Sequence, residues 1–358
     1  MAGKLRRITE LMTTRGQDGS ARTKPVAWLT APVKPAEDYG FFGPGSVTWK
    51  VWGYPTSMSV GFQRAVVIEE LDPFLVASVA TTGKVYSQAR IRYDHTLAYF
   101  ATVLFGDTRT ATTASAVLMR IHAENGVGTE PVSGLYYDAN DPDSQLWIHL
   151  TAWHSILYVY ETFGPGRLSE EEERQFWHEC AVAAELQTCD PARVPRTREG
   201  VRAYFEEVRT RLVASEVTQQ MMNHLLNAEV MYPPMLGRMR PVGWVANQFL
   251  RRATIATLPV WQRELAGVRQ SRAADTVVRL LAKPVFRVAS RSARIQLALL
   301  SWLSPSTAPV VAPFFRGIPP VRPETLSPAD AYARWEVPTP AEMYAKVHPD
   351  FKLTPYPA

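Results

Sequence analysis

From Val47 onward, apolar residues recur at spacings of three and four, the pattern of helices that bury one face. The stretch VGFQRAVVIEEL followed by Asp72-Pro73 reads as an amphipathic helix and a break, with a second helix of about ten residues beginning near Phe74. The short run Val47–Val51 is also compatible with a strand. A third helix spans roughly Gln88 to Leu104, with Gly106 expected as a left-handed C-cap. Asp107 or Thr108 opens a fourth, which carries Ala111, Ala114, Ser115, Leu118, Ile121 and His122 toward one side and stops at Asn125-Gly126. A fifth begins near Asp143 or Ser144 and continues through LWIHLTAWHSILYVYETF. It is apolar on nearly all sides and is therefore expected to be central and buried.

Further along, Ser169 and Glu172 have the spacing of a capping box, and the run of four glutamates fits first-turn acid matched to the helix dipole. Thr197 opens another amphipathic helix. The Met-rich segment MMNHLLNAEVMYPPMLGRMRP reads as adaptable core filling. Long helical patterns return from Val242 to Leu303, and beyond Ser304 the proline-rich tail is expected to run extended over the surface. Residues 1–46 are basic and lack a long periodic pattern, with one short helix near Leu5–Met12. There is no internal repeat and no alternating strand series. The chain is thus expected to be all-α, a single large domain of about ten helices over residues 47–310. An N-terminal arm, 1–46, and a Pro-rich C-terminal extension, 311–358, would flank it and pack on it.

With 358 residues the chain can bury a core without disulfides or a structural metal. Composition, 46% hydrophobic and 20% charged, is that of a soluble globular protein. The net charge of +5 does not single out nucleic acid as a partner, and the basic residues are not interleaved with aromatics as in a nucleic-acid surface. The two cysteines, Cys180 and Cys189, suit a reduced, cytoplasmic protein. No apolar run has the length of a signal peptide or a membrane span. Arg279, Lys283, Arg287 and Arg291 recur every four residues and form a basic ridge, with a kink expected at Pro284. It is either a solvated cationic face or a contact for an anionic membrane surface or acidic partner.

Common catalytic motifs are absent: there is no phosphate loop, no GxSxG elbow, no HExxH pair and no zinc-like CxxC spacing. The Glu-x-x-His repeats of di-iron bundles are missing too. The pairs Glu69-Glu70 and Glu206-Glu207 are adjacent on helices and are expected to diverge. What remains is histidine. Four of the seven, His95, His122, His149 and His154, lie on three successive helices. Arg92, His95, Thr96 and Tyr99 share one face at spacings of three and four. His149 and His154 diverge by roughly 140° on an ideal helix, so they cannot both serve one metal. A buried histidine is commonly just hydrogen-bonded within a core; a group of this kind can also hold iron, and a helical bundle offers a slot for a porphyrin.

The order of motifs is informative: Asp72-Pro73; Arg92-Tyr-Asp-His95-Thr96; Phe105-Gly106; Arg120-Ile-His122; Tyr137-Asp-Ala-Asn-Asp141-Pro142; Trp147-Ile-His149; the helix opened by Ser169; and the turn Pro195-Arg-Thr197. Over roughly residues 50 to 310 this order resembles the MpaB and latex-clearing rubber oxygenase family. The resemblance implies an all-α fold, b-type haem and activation of dioxygen for oxidation of an apolar or lipid-like substrate, with a redox partner of unknown identity. By position His122 corresponds to the proximal iron ligand, and Arg92, His95 and Thr96 to the catalytic distal side. His149, Arg120 and Tyr137 are assigned to the haem surroundings. Two departures from the rubber-oxygenase pattern stand out. His95 occupies the place of a lysine, so it is a second candidate iron ligand. No acid lies between Pro73 and Arg90, where a distal glutamate is expected, so rubber cleavage itself is not expected. The rival readings are a non-catalytic carrier or sensor with His95 and His122 both on iron, and a cofactor-free helical scaffold or peripheral membrane protein.

Overall fold

The computed structural model describes residues 32–350 apart from Gly83, 130–133, 135, 232 and 234–236. The helix expected near Leu5–Met12 lies outside the described residues. In chain order the helices are α1 (Val47–Trp52), α2 (Phe62–Glu69, entered through a π-helical turn Ser57–Gly61), α3 (Pro73–Thr82), α4 (Lys84–Ser87), α5 (Ala89–Phe105) and α6 (Thr108–Asn125). A two-stranded antiparallel hairpin follows, β1 (Val127–Thr129) with β2 (Tyr136–Asp138), paired Gly128 to Tyr137. Then come α7 (Pro142–Phe163), α8 (Glu170–Ala184), α9 (Arg198–Arg209), α10 (Glu216–Leu225), α11 (Arg240–Thr257) and α12 (Val260–Leu265). The chain continues through α13 (Arg272–Ser290), α14 (Ala293–Leu303), α15 (Ala308–Arg316), α16 (Pro328–Trp335) and α17 (Pro340–Ala345). The fold is all-α apart from the hairpin, and Val47–Val51 is helical. There are more and shorter helices than the apolar pattern suggests, because caps and prolines interrupt what reads as continuous periodicity.

Helix α7 is the axis of the molecule, as its all-round apolarity requires. Asp141 caps its start by accepting from the amides of Asp143 (3.0 Å) and Ser144 (2.9 Å), and Pro142 occupies the first turn, where no amide is needed. Trp153, only 1% exposed, is enclosed by Trp52, Phe176 and Phe42, with ring centroids 5.6, 5.0 and 6.3 Å away. Truncating such a residue to alanine costs about 3–5 kcal/mol. Alongside α7, α2 buries Arg64, whose guanidinium donates to Ser155 Oγ (2.6 Å) and lies over the Tyr158 ring (4.9 Å). Burial pushes that arginine down to about 10.

Two expectations need correction. Gly106 is not left-handed: it has φ −78° and ψ 164°. The chain passes straight into the next cap, where Asp107 accepts from the Thr110 amide (2.7 Å). Much of the described proline-rich tail is helical instead of extended, since Pro309, Pro328 and Pro340 sit in the first turns of α15, α16 and α17, where the fixed φ favours a helix. The segment between α15 and α16 runs extended and pairs with the end of the arm through Tyr39 N to Glu324 O (2.8 Å) and Val321 N to Ala36 O (2.9 Å). The arm's last residues join the core, with Phe41 and Phe42 buried and Asp38 accepting from the amide (2.8 Å) and hydroxyl (2.6 Å) of Thr108. Helices α16 and α17 brace α6 and the hairpin: Tyr332 donates to Ser115 Oγ (3.2 Å), Trp335 Nε1 to Thr108 Oγ1 (2.9 Å), and His348 lies 3.3 Å from Asp138.

Candidate active site

Helices α2, α5, α6 and α7 enclose a cavity of about 340 Å³, closed further by Leu225 and Met231. A second cavity of about 320 Å³ adjoins it on the hairpin side, lined by residues that include Asp72, Tyr137 and Trp147. Arg92, Thr96, Ile121, His122, Ile148 and Leu75 line both, so these residues form the shared wall. Each volume falls within the ~300–1,000 Å³ of small-molecule sites. Phe62, Val66, Phe100, Leu118 and other apolar side chains make up half of the lining of the first cavity, and polar and charged side chains most of the rest.

The stripe expected on α5 is realised in full: Arg92, His95, Thr96 and Tyr99 all line the first cavity. The side chains of Arg92, His95 and Thr96 make no hydrogen bond or ion pair with any described residue, so their polar atoms are free to meet a ligand. Tyr99 is committed to the Leu186 carbonyl (3.2 Å).

His122 stands opposite, on the last turn of α6, and its orientation is set by Asn140 in the loop before α7. The Asn140 amide nitrogen donates to the Met119 carbonyl (2.8 Å), which can only accept; its oxygen therefore faces His122 Nδ1 (3.2 Å). Nδ1 must carry the proton, which leaves Nε2 with its lone pair, and no described residue bonds to it. Gln145 Nε2, which donates to the Ala139 carbonyl, lies farther from Nδ1, at 3.4 Å, so the closer Asn140 oxygen sets the tautomer. Asn140 is itself fixed through its backbone: the backbone N–H donates to Asp138 Oδ1 (2.7 Å) and the backbone carbonyl accepts from Thr188 Oγ1 (2.7 Å). Burial lowers the pKa of His122, against the Asn140 hydrogen bond, which keeps the ring in its neutral, ligating form near neutral pH.

Two acids that adjacency seemed to set apart meet here. Glu69 is the last residue of α2 and Glu70 its C-cap, and both line the first cavity. The helix ends at the cavity, so side chains leaving it in different directions still reach the same space. They precede Pro73, outside the acid-free interval from Pro73 to Arg90. Burial raises both to about 8; the charge of Glu70 adds to the shift of Glu69, and Arg92 opposes that of Glu70. Glu70 is 6% exposed and its Oε2 has no hydrogen-bond partner. Near neutral pH these groups are carboxylic acids, able to hold a proton beside the free guanidinium of Arg92.

The other assigned residues are placed differently. His149 lies outside both cavities, with Nε2 donating to the Cys180 carbonyl (2.7 Å) and Nδ1 facing Gln187 Nε2 (3.4 Å). Burial pulls its pKa down to about 4. Both ring nitrogens are used, so it touches the site only through Gln187, a wall residue of the first cavity. Arg120 is exposed on the far side of α6, its Nε turned back to the Ala116 carbonyl (3.2 Å). Tyr137 lines the second cavity only. His154 packs against Phe205, with ring centroids 4.9 Å apart, and lines neither cavity. The residues that spacing alone missed are Glu69, Glu70, Asn140 and Gln187.

The catalytic-domain model described as ER-bound oxygenase mpaB/B'/Rubber oxygenase matches residues 49–294. The chain belongs to this family. The match covers α2 through α13 and so includes every residue that lines the two cavities. No curated protein and no solved structure matches the chain. Among the described residues of this family member, no group of three or more histidine, cysteine or acidic side chains is placed to hold a bare metal ion.

Proposed function

We propose that this chain is a haem b-dependent oxygenase acting on an apolar substrate, with His122 as the proximal ligand through Nε2. The observation that carries the reading is the chain Met119 carbonyl, Asn140, His122 Nδ1, which presents an unpartnered Nε2 lone pair at the wall common to both cavities. When bound, haem would supply the iron at which dioxygen is activated. Protein groups do the rest. Asn140 fixes the tautomer and raises the basicity of His122. Arg92 offers an unpaired cation to a propionate or to developing negative charge, and Thr96 offers a hydroxyl donor. Glu69 and Glu70 hold protons at their carboxyl oxygens at neutral pH. The apolar part of the wall would seat a hydrocarbon-like substrate.

A bis-histidine carrier is the second reading, favoured by one observation: His95 is unpartnered and lines the same cavity as His122. The buried acids and the free Arg92 tell against it, because electron or haem carriage needs no proton donor in the pocket. Purified protein reconstituted with haem separates the two. The oxygenase reading expects a reduced form that binds carbon monoxide; a reduced form with two histidines on iron that refuses it would favour the carrier.

A further inference from the structure

The basic ridge on α13 has an unexpected companion. This helix buries only Val278, Ala282 and Phe286, toward α11 and α7, while Val277, Leu280, Leu281, Val285 and Val288 face outward. Leu280 is 70% exposed and Val288 61%, values at which a leucine or valine gains almost nothing from the fold. Helix α13 runs on through Pro284, so these side chains lie along one helix. The apolar surface does not stop there. Phe286 meets Phe249 of α11 (6.2 Å) and Arg279 donates to the Ala256 carbonyl (2.6 Å), so the helices run antiparallel with the start of α11 toward the end of α13, where Trp244 is 60% and Val245 58% exposed. Ile295 and Leu299 extend it onto α14. Single exposed apolar residues are ordinary; a run across three neighbouring helices marks an interaction site.

The charges around it are one-sided. Residues 237–257 hold four arginines and no acid. Residues 272–303 hold six arginines and lysines against one acid, Asp275, which is already paired with Arg263 (2.9 Å). Lys283 and Arg287 follow Leu280 at i+3 and i+7 and so edge the apolar strip, with Arg291 and Arg294 beyond its end. An apolar strip edged by cations is the arrangement of an interfacial helix, whose apolar side enters the acyl boundary while its cations meet phosphate headgroups. No helix among the described residues is long and apolar enough to cross a membrane, so such contact would be along the surface.

We propose that α13, with the first half of α11 and the start of α14, is a docking face for an anionic lipid bilayer. Charge decides against occupants drawn from this chain itself. A second copy of the chain would bring the same cations face to face across a two-fold axis. Residues 1–31 carry six arginines and lysines and two acids, so they are repelled by this surface. The proposal does not depend on the haem reading, because the face lies outside both cavities.

The test is co-sedimentation of the full chain with phosphatidylcholine vesicles, with and without phosphatidylserine, at low and high salt. Binding to the serine-containing vesicles alone, released by salt, is expected. The pair Leu280→Glu with Val288→Glu should weaken binding more than tenfold. The set Lys283→Gln, Arg287→Gln and Arg291→Gln should weaken it roughly a hundredfold, at about fivefold per cation. All five positions are exposed, so circular dichroism should be unchanged in both variants. No binding to either vesicle, binding unaltered by both variants, or a solution dimer that Leu280→Glu dissociates would overturn the proposal. Binding by haem-free and haem-loaded protein alike keeps this outcome separate from that of the cofactor.

Discussion

Replacing Glu70 by glutamine should make the protein more stable in alkali, and the structure says by how much. The Glu70 carboxyl is buried, its Oε2 has no hydrogen-bond partner, and its pKa is raised from 4.5 to about 8. In the unfolded chain the same group loses its proton near 4.5. A folded-state pKa above the unfolded value means that stability is fully present below pH 4.5 and is lost as pH rises through about 8. At 1.36 kcal/mol per unit, the full shift corresponds to about 4–5 kcal/mol. Glutamine has the same shape and no charge to bury. Glu70→Gln should therefore match the parent within about 0.5 kcal/mol at acid pH and exceed it by about 3–5 kcal/mol above pH 9. Urea unfolding of the haem-free protein at both pH values measures this, and comparing the two proteins cancels the titrating groups that do not interact with Glu70. The gain should be larger still if Glu69, whose shift owes part to the charge of Glu70, relaxes as well. A Glu70→Gln protein that is no more stable in alkali than in acid, relative to the parent, would refute a buried neutral acid.

Three further outcomes follow from the same geometry. Asn140→Ala removes the acceptor that fixes His122 and should lower haem affinity about 10–100-fold while leaving the fold intact, as read by haem titration; unchanged affinity would mean that the tautomer is set elsewhere. Arg92→Leu removes the cation that lowers the Glu70 pKa, so the protonated carboxyl band in difference infrared spectra should persist to higher pH; an unmoved band would show that the two groups do not interact. His149→Ala should cost about 1–3 kcal/mol, because it removes the imidazole donor to the Cys180 carbonyl from a fully buried place, yet leave the haem spectrum unaltered. Loss of haem from that variant would return His149 to the site.

Much of the site was legible in the sequence because it lies on helices, where spacing determines which side chains share a face. Arg92, His95, Thr96 and Tyr99 reach the same cavity for that reason, and His122 lies at the end of the next helix. What was not legible depends on how the helices end. Glu69 and Glu70 are adjacent, and adjacency on a helix means divergence; here the helix stops at the cavity and both reach it. Asn140 acts on a residue 18 positions earlier, through a loop whose shape comes from Thr188 and Asp138. His149 sits in a motif and looks available, but α8 packs against it and takes its Nε2 proton. The tail misled through composition: prolines that deny a helix its interior suit its first turn. The ridge on α13 was visible as a repeat of cations, whereas the apolar strip it borders emerges only once packing shows which side of the helix remains uncovered.

The most direct test of the central claim is the absorption spectrum of protein purified under sufficient haem, recorded for the parent and for the His122→Ala and His95→Ala variants. The account predicts a Soret band in the parent, its loss in His122→Ala, and a shifted band with haem retained in His95→Ala. A colourless parent, or a His122→Ala protein that keeps the parent's spectrum, would contradict it.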